Sequence, residues 1–162
     1  MVYLLDSNVF IEAKNRYYGL DFCPGFWDWM MSRNHDGVLF SVEKVAEEIL
    51  KGKDELSDWM DENAKDLFLS PDNALNPALA QVSHRANGQE YRQSAVSQFF
   101  QSADYYLVAH ALAHSCAVVT LEISGTGSKK RIKIPDVCKG LGVSCINPFE
   151  MLRKEGAVFV CP

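Results

Sequence analysis

The sequence predicts a three-layer α/β/α fold, in which helices cover both faces of a mainly parallel central sheet. Short apolar runs that suit strands buried on both faces recur along the chain, at residues 2–5, 38–40, 67–69, 116–120 and 143–146. Segments with helical periodicity lie between these runs. This alternation indicates parallel strands, because each parallel pair needs a crossover connection, which is usually a helix.

Length and composition bound the class of protein. With 162 residues, of which 48% are hydrophobic and 23% charged, the chain is expected to form one domain over residues 1–162 with a sizeable core. No apolar run approaches the roughly 18 residues of a membrane span. Asp6 interrupts the N-terminal apolar run, and no basic region precedes it. We therefore expect no signal peptide and no membrane association.

The cysteines bear on the cellular compartment and the net charge bears on nucleic-acid binding, but neither identifies a ligand. The five cysteines are scattered, and none forms a Cys-x-x-Cys pair. Buried thiols in the cytoplasm explain them better than disulfides or zinc. The net charge of −5 does not indicate nucleic-acid binding. It does not exclude it either, because a local basic segment matters more than the total.

The first strand ends at an acidic residue. Residues 2–5 run into Asp6, followed by Ser7, Asn8 and a helix that reaches Gly19. Asp6 has two interpretations: an N-cap of that helix, or part of a site, since sites in parallel sheets lie beyond the carboxyl ends of the strands. Taken alone, this stretch leaves both open.

The next segment is rich in aromatic residues. Pro24 and Gly25 mark a turn or a helix start, and Trp27 and Trp29 follow within residues 22–31. Such a cluster is usually core or a subunit interface, and a base-stacking platform is the less favoured interpretation. We expect an interface in the Trp27 and Trp29 region.

A second acidic helix follows the strand at residues 38–40. Ser41 resembles an N-cap, and an apolar stripe predicts a helix over residues 42–50. Glu43, Glu47 and Glu48 lie off that stripe. They form either a solvated face or the source of a second carboxylate near Asp6.

The middle of the chain is chemically less informative. We expect a helix over residues 54–61 and a polar, helical segment over residues 70–102 with breaks at Pro71, Pro77 and Gly88. Within it, Arg85 and Arg92 are candidate phosphate contacts.

Residues 103–114 predict a strongly apolar helix with Asp104 in its first turn. Asp104 either favours the helix dipole or enters a shared site. His110 and His114 have the spacing of a metal-binding pair. However, no Glu follows His110, and both point away from Asp104 at helical phasing. We expect both histidines to be structural or exposed.

The strand at residues 116–120 repeats the opening pattern, since Thr120 and then Glu122 follow it. A flexible loop over residues 123–133 then ends in the cations Lys129, Lys130, Arg131 and Lys133. A charge run is usually solvated, but this one lies where a phosphate backbone would approach a metal site. A helix to Gly140, a strand, a helix over residues 148–154 and an extended piece at 157–160 complete the chain.

These segments resemble a PIN domain, the fold of VapC-type toxin ribonucleases. More narrowly, they resemble a bacterial PIN-like family long classed only as a domain of unknown function, which covers almost the full chain. The matching segments are residues 4–11, 22–29, 41–50, 103–109, 119–122 and 133–135. The resemblance implies a metal-dependent ribonuclease whose acids are Asp6, a glutamate of the second helix, Asp104 and an acid after Thr120. Glu48 fits the family pattern better than Glu47, and Glu122 is longer than the aspartate usual at its position.

The residues agree with that chemistry. Converging carboxylates repel one another, and a hard cation, Mg²⁺ or Mn²⁺, removes the repulsion. The expected ligands are Asp6 and Asp104, with Glu48 and Glu122 as ligands or as groups that position water. Ser7, Asn8 and Thr120 would orient these carboxylates and the phosphate. Lys129, Lys130, Arg131 and Lys133 would guide RNA into the site.

Two other classes of function stay open. A phosphatase of the haloacid-dehalogenase type also places an Asp after its first strand, but it needs a second Asp where this chain has Asn8. A non-catalytic scaffold that binds protein or RNA is the other alternative. The resemblance also implies a cytoplasmic toxin with a protein antitoxin as partner, and a homodimer.

Overall fold

The computed structural model describes residues 1–161, and these form an α/β fold around a five-stranded, wholly parallel sheet with the order β3-β2-β1-β4-β5. The strands are β1 (Tyr3–Leu5), β2 (Leu39–Val42), β3 (Phe68–Leu69), β4 (Ala117–Val119) and β5 (Cys145–Ile146). The predicted three-layer α/β/α class is confirmed.

Helices fill every long connection between the strands. They are α1 (Ser7–Glu12), α2 (Pro24–His35), α3 (Glu43–Leu50), α4 (Glu55–Asn63), α5 (Leu75–Asn87), α6 (Gln93–Gln101), α7 (Ala103–His114) and α8 (Ile134–Leu141), and a further helix, α9 (Pro148–Lys154), follows β5. A π-helical segment, Ala13–Tyr17, extends α1, and a 3-10 turn, Lys65–Leu67, leads into β3.

Strand β1 lies at the centre of the sheet. Tyr3 pairs with Leu39 of β2 on one side and with Ala117 of β4 on the other. Because these strands are parallel, the carboxyl ends of β1, β2 and β4 meet at one edge of the sheet. The order of the strands reverses direction at β1, which is where ligands bind in open α/β sheets.

Helix α7 is the central helix of one layer. It packs against α3, α5, α6 and α8 and against strands β2 and β4. Most of its apolar residues are buried, whereas Leu112 and Ala113 near its end are half-buried. His110 is only 2% exposed, and His114 Nε2 lies 2.8 Å from Asp72 Oδ2, so both histidines have structural surroundings.

The aromatic segment belongs mainly to the core. Trp27 is 2% exposed, and its Nε1 donates a hydrogen bond of 2.6 Å to the Tyr18 carbonyl oxygen. Its ring lies 4.8 Å from that of Trp59. The prediction of an interface is therefore wrong for Trp27. Trp29 is half-buried and lines a surface groove together with Phe22.

Two predicted local features differ in the structure. Ser41 is a residue of β2, where its hydroxyl donates to the Leu5 carbonyl oxygen at 2.6 Å, and Val42 is the N-cap of α3. Pro77 does not break a helix, because it lies in the first turn of α5, where backbone N–H groups have no helical acceptor. Residues 157–160, predicted as an extended piece, belong to no helix or strand within the described chain.

Two further observations concern residues 1–161. All five cysteines have free thiols; Cys116 and Cys138 are buried as expected, whereas Cys161 is exposed. None of the helices there combines the length and the apolar character needed to cross a bilayer.

Candidate functional site: a carboxylate cluster at the sheet edge

The residues predicted to form a site come from four parts of the fold that meet at the carboxyl edge of the sheet. Asp6 follows β1, and Glu48 lies on α3. Asp104 lies in the first turn of α7, and Glu122 follows β4 in the loop that leads to α8. The charges of Glu48 and Glu122 raise the pKa of both aspartates, so the four acids share one electrostatic neighbourhood.

Asp6 is the most deeply buried of these acids, with 3% of its surface exposed. Its Oδ1 accepts hydrogen bonds from the Ser7 backbone N–H at 2.7 Å and the Ser7 hydroxyl at 3.3 Å. Its Oδ2 accepts one from the Thr120 hydroxyl at 2.7 Å. Asp6 is thus the N-cap of α1 and also a member of the carboxylate cluster.

A chain of hydrogen bonds fixes the orientation of the Asp6 carboxylate. Thr120 Oγ1, which donates to Asp6, accepts from Asn8 Nδ2 at 3.2 Å and from the Glu122 backbone N–H at 3.0 Å. Asn8 Oδ1 in turn accepts from the Leu121 backbone N–H at 3.2 Å. These bonds tie α1 to the end of β4 and place Ser7, Asn8 and Thr120 around Asp6, where the sequence predicts them.

Helix α3 presents Glu48 rather than Glu47 to the cluster. Glu48 Oε1 accepts a hydrogen bond of 3.1 Å from the Ala103 backbone N–H, at the start of α7. Glu47 has a side chain that is 49% exposed, and it pairs with Lys44 at 3.3 Å. The structure therefore distinguishes the two candidate glutamates by position.

Glu122 has a side chain that is only 10% exposed, and protein groups bind both of its oxygens. Oε1 lies 3.1 Å from Arg131 Nη2, and Oε2 accepts from the Ile134 backbone N–H at 2.8 Å. Arg131, predicted as an RNA contact, is therefore also the counter-ion of a cluster acid. The sequence did not indicate this pairing, because the two residues are joined only by an irregular loop.

Burial and mutual repulsion raise the pKa of both aspartates. The pKa of Asp6 rises to about 6, mainly through burial and also through the charges of Glu122 and Glu48, while the Thr120 hydrogen bond opposes the shift. The pKa of Asp104 rises to about 8 through burial and the charges of Asp6, Glu122 and Glu48, and Arg131 opposes that shift. Near neutral pH the cluster therefore holds protons that isolated carboxylates would lose.

The donor chemistry of the cluster fits a hard divalent cation, because it consists of carboxylate oxygens whose repulsion a cation relieves. The positions of these side chains fit a cation less well than their donor chemistry does. Within residues 1–161, no group of three or more His, Cys, Asp or Glu side chains is arranged to hold an ion. Glu48 and Glu122 accept backbone N–H groups instead. Asp6 and Asp104 are therefore the acids best placed to hold a cation.

The predicted RNA-binding cations are divided between two surroundings. Lys129 and Lys130 are exposed in the loop, whereas Lys133 is half-buried as the N-cap of α8. Lys129 lines a cavity of about 420 Å³ together with Arg85, Tyr91 and Lys139. Tyr91 and Lys139 were not singled out from the sequence, because nothing local marks them as neighbours of Lys129.

The fold and the cluster define an α/β protein with a buried group of carboxylates at the switch point of a parallel sheet. Residues 3–159 match the family described as domain of unknown function DUF4411, and the chain belongs to this family. No curated protein and no solved structure matched the chain.

Proposed function

We propose that the protein is a metal-dependent endoribonuclease of the PIN-like type. The observation that carries this proposal is the cluster itself: Asp6 and Asp104 are held where burial and the charges of Glu48 and Glu122 raise both pKa values. Folding places these like charges together at a cost in stability. A site that binds a cation accounts for this cost, because the cation reverses the repulsion.

The roles of the acids follow from their contacts. Asp6 and Asp104 would hold Mg²⁺ or Mn²⁺, with Glu48 and Glu122 as further ligands or as groups that position a water molecule. When bound, the cation lowers the pKa of water and neutralises charge on the phosphate that is attacked. Thr120, Asn8 and Ser7 keep the Asp6 carboxylate in a single orientation.

The basic loop would bring RNA to the acids. Lys129 and Lys130 are exposed cations in the loop that follows Glu122, and Lys133 lies at its end. Arg131 already pairs with Glu122. A phosphate that arrives there would accept hydrogen bonds from the Arg131 guanidinium and so release Glu122 from this pair.

The proposal predicts that Asp6→Asn and Asp104→Asn abolish cleavage of RNA in Mg²⁺ or Mn²⁺, since each removes a negative ligand without a change in side-chain size. Cleavage of a labelled RNA is measured by gel electrophoresis, and folding by circular dichroism. Glu47→Gln is the matched control and should cleave like the wild type. Undiminished cleavage by folded Asp6→Asn or Asp104→Asn would exclude these residues as ligands.

A second candidate is a non-catalytic scaffold that binds RNA or protein. One observation favours it: Glu48 and Glu122 have backbone N–H partners already, and within residues 1–161 no group of acids is closed around an ion. A scaffold should show no stabilisation by Mg²⁺ or Mn²⁺. A nuclease should be stabilised by the metal, and Asp6→Asn should remove that effect.

The resemblance to VapC-type toxins extends the proposal to a cytoplasmic toxin that is neutralised by a protein antitoxin and forms a homodimer. Induced expression of the wild-type chain should then arrest growth, and Asp104→Asn should relieve the arrest. Arrest by both chains alike would count against toxicity through RNA cleavage.

A further inference from the structure

A cavity of about 420 Å³ lies beside the carboxylate cluster and is separate from it. Helix α5 contributes Arg85 to its lining, and the segment before α6 contributes Tyr91. The basic loop contributes Lys129, and α8 contributes Asp136 and Lys139. A volume of this size lies within the range of small-molecule sites, roughly 300–1,000 Å³.

The cavity is basic although the chain as a whole carries a net charge of −5. In the part of the chain that the structure describes, none of Arg85, Lys129 and Lys139 forms an ion pair with a carboxylate. Among residues 1–161, Asp136 is the one acid that lines the cavity. Its oxygens accept hydrogen bonds from the Ser124 hydroxyl at 2.6 Å and from the Gly125 N–H at 2.9 Å. The free cations therefore favour an anionic ligand.

Close packing holds Arg85 at the cavity. A β-carbon at position 140 would collide with the Arg85 guanidinium, so Gly140 allows this side chain to lie directly against α8. Arg85 is half-buried there. A guanidinium in this position presents a planar set of donors that suits phosphate oxygens.

Tyr91 supplies an aromatic surface next to these cations. The ring is half-buried, and Lys129 Nζ lies 5.9 Å from its centroid. The Arg92 backbone N–H donates to the Lys129 carbonyl oxygen at 2.9 Å, which joins this segment to the basic loop. A phosphate-binding charge beside an aromatic ring is the combination that recognises single nucleotides, because any base can stack on the ring.

The basic loop connects the cavity to the carboxylate cluster. Lys129 lines the cavity, whereas Arg131 pairs with Glu122 and lines a small hollow of about 50 Å³ with Asp104. Two residues of extended chain span at most about 7 Å. The backbone positions of Lys129 and Arg131, which line these two hollows, therefore lie within about 7 Å of each other.

We propose that this cavity binds one nucleotide, with Arg85, Lys129 and Lys139 around its phosphate and Tyr91 stacked on its base. The nucleotide comes either from an RNA strand that lies across the cluster or from the pool of free nucleotides. As a contact for the RNA strand, the site rests on the proposed function, and it would hold a nucleotide of the strand outside the carboxylate cluster.

The test measures binding without turnover, on the full chain in EDTA. Isothermal titration compares AMP with adenosine, with inorganic phosphate and with a short single-stranded RNA. We expect AMP to bind more tightly than adenosine or phosphate. Lys139→Gln and Tyr91→Leu should each weaken AMP binding at least about tenfold, the loss expected for a stacked base or a phosphate contact. Tyr91→Phe keeps the ring and should bind normally, as should Lys65→Gln, an exposed lysine outside the cavity.

The outcomes separate this inference from the proposed nuclease. Tighter binding of the RNA than of AMP, with both weakened in Lys139→Gln, identifies the strand as the ligand; the reverse order identifies a free nucleotide. Loss of AMP binding in both variants supports the site even if the wild type cleaves no RNA. Absence of binding to every probe overturns the site, as does binding unchanged in folded Lys139→Gln and Tyr91→Leu. Neither of these two results bears on whether the wild type cleaves RNA.

Discussion

Of the two aspartates in the cluster, Asp104 has the pKa that is raised further above its ordinary value. Its pKa is about 8 in the folded chain against an ordinary value of 3.8. In the unfolded chain the carboxyl loses its proton near the ordinary value, so the unfolded state binds fewer protons between these two pH values. Stability contributed by this residue is therefore present in acid and is lost as pH rises towards about 8.

This sign predicts the behaviour of a neutral variant. Asp104→Asn should raise the melting temperature in metal-free buffer above pH 8 by about 3 °C or more, because it removes a buried like charge. At pH 4 the variant and the wild type should melt together, since Asp104 is then protonated in the folded chain. Differential scanning calorimetry across this pH range provides the measurement. An equal difference at both ends of the range would contradict the assigned pKa.

The Thr120 hydroxyl donates a hydrogen bond to the buried Asp6 carboxylate. Thr120→Val has nearly the same shape but leaves Asp6 Oδ2 without its 2.7 Å donor. Urea unfolding near neutral pH should show a loss of about 1–3 kcal/mol, the cost of an unsatisfied buried group. Thr120→Ser restores the hydroxyl and should recover most of this loss. If Thr120→Val were as stable as the wild type, the hydrogen bond would contribute nothing to the stability of the fold.

At the scale of elements, Glu48 links α3 to the start of α7 by a hydrogen bond. Glu48 both carries charge into the cluster and accepts the Ala103 N–H at the start of α7. Glu48→Gln separates these tasks, because the amide oxygen can still accept that hydrogen bond while the charge is gone. We expect normal thermal unfolding but RNA cleavage or metal affinity that falls by about 10–100-fold.

Glu47→Gln is the matched control for this change, one position away on the exposed face of α3. It should leave cleavage and metal affinity unaltered. An equal loss in both variants would mean that the net charge of α3, rather than the position of Glu48, controls the site.

The elements also show what the sequence could and could not predict. Buried apolar runs identified all five strands, since residues such as Leu4 and Val118 suit a sheet covered on both faces. The acids after β1 and β4 and in the first turn of α7 were placed correctly, because parallel strands align their carboxyl ends. Ser41 was assigned wrongly because a hydroxyl that caps a helix and one that binds a neighbouring strand look the same in sequence.

The contacts made by irregular segments were beyond prediction. The pairing of Arg131 with Glu122 depends on the path of the loop, and the approach of Tyr91 to Lys129 depends on how α5 and α6 pack. Periodicity carries no information on either. For the same reason, the choice between Glu47 and Glu48 needed the position of α7, which supplies the Ala103 N–H.

At the scale of the whole molecule, the proposed function predicts that metal affects stability in a way that depends on pH. A cation bound at the cluster would compete with the protons on Asp6 and Asp104, so Mg²⁺ or Mn²⁺ should raise the melting temperature more at pH 8 than at pH 6. Asp6→Asn should reduce this metal-dependent rise, and Lys65→Gln should preserve it. A rise of the same size at both pH values would point to binding away from these aspartates.

The central position of β1 has a consequence for the order in which the chain can fold. Tyr3–Leu5 precedes both of its partner strands in the chain, since it pairs with Leu39 and Phe40 on one side and with Ala117–Val119 on the other. A nascent chain that lacks β4 therefore exposes one edge of this buried strand. Because parallel pairings so distant in sequence form slowly, this interval is when a chaperone would be needed most.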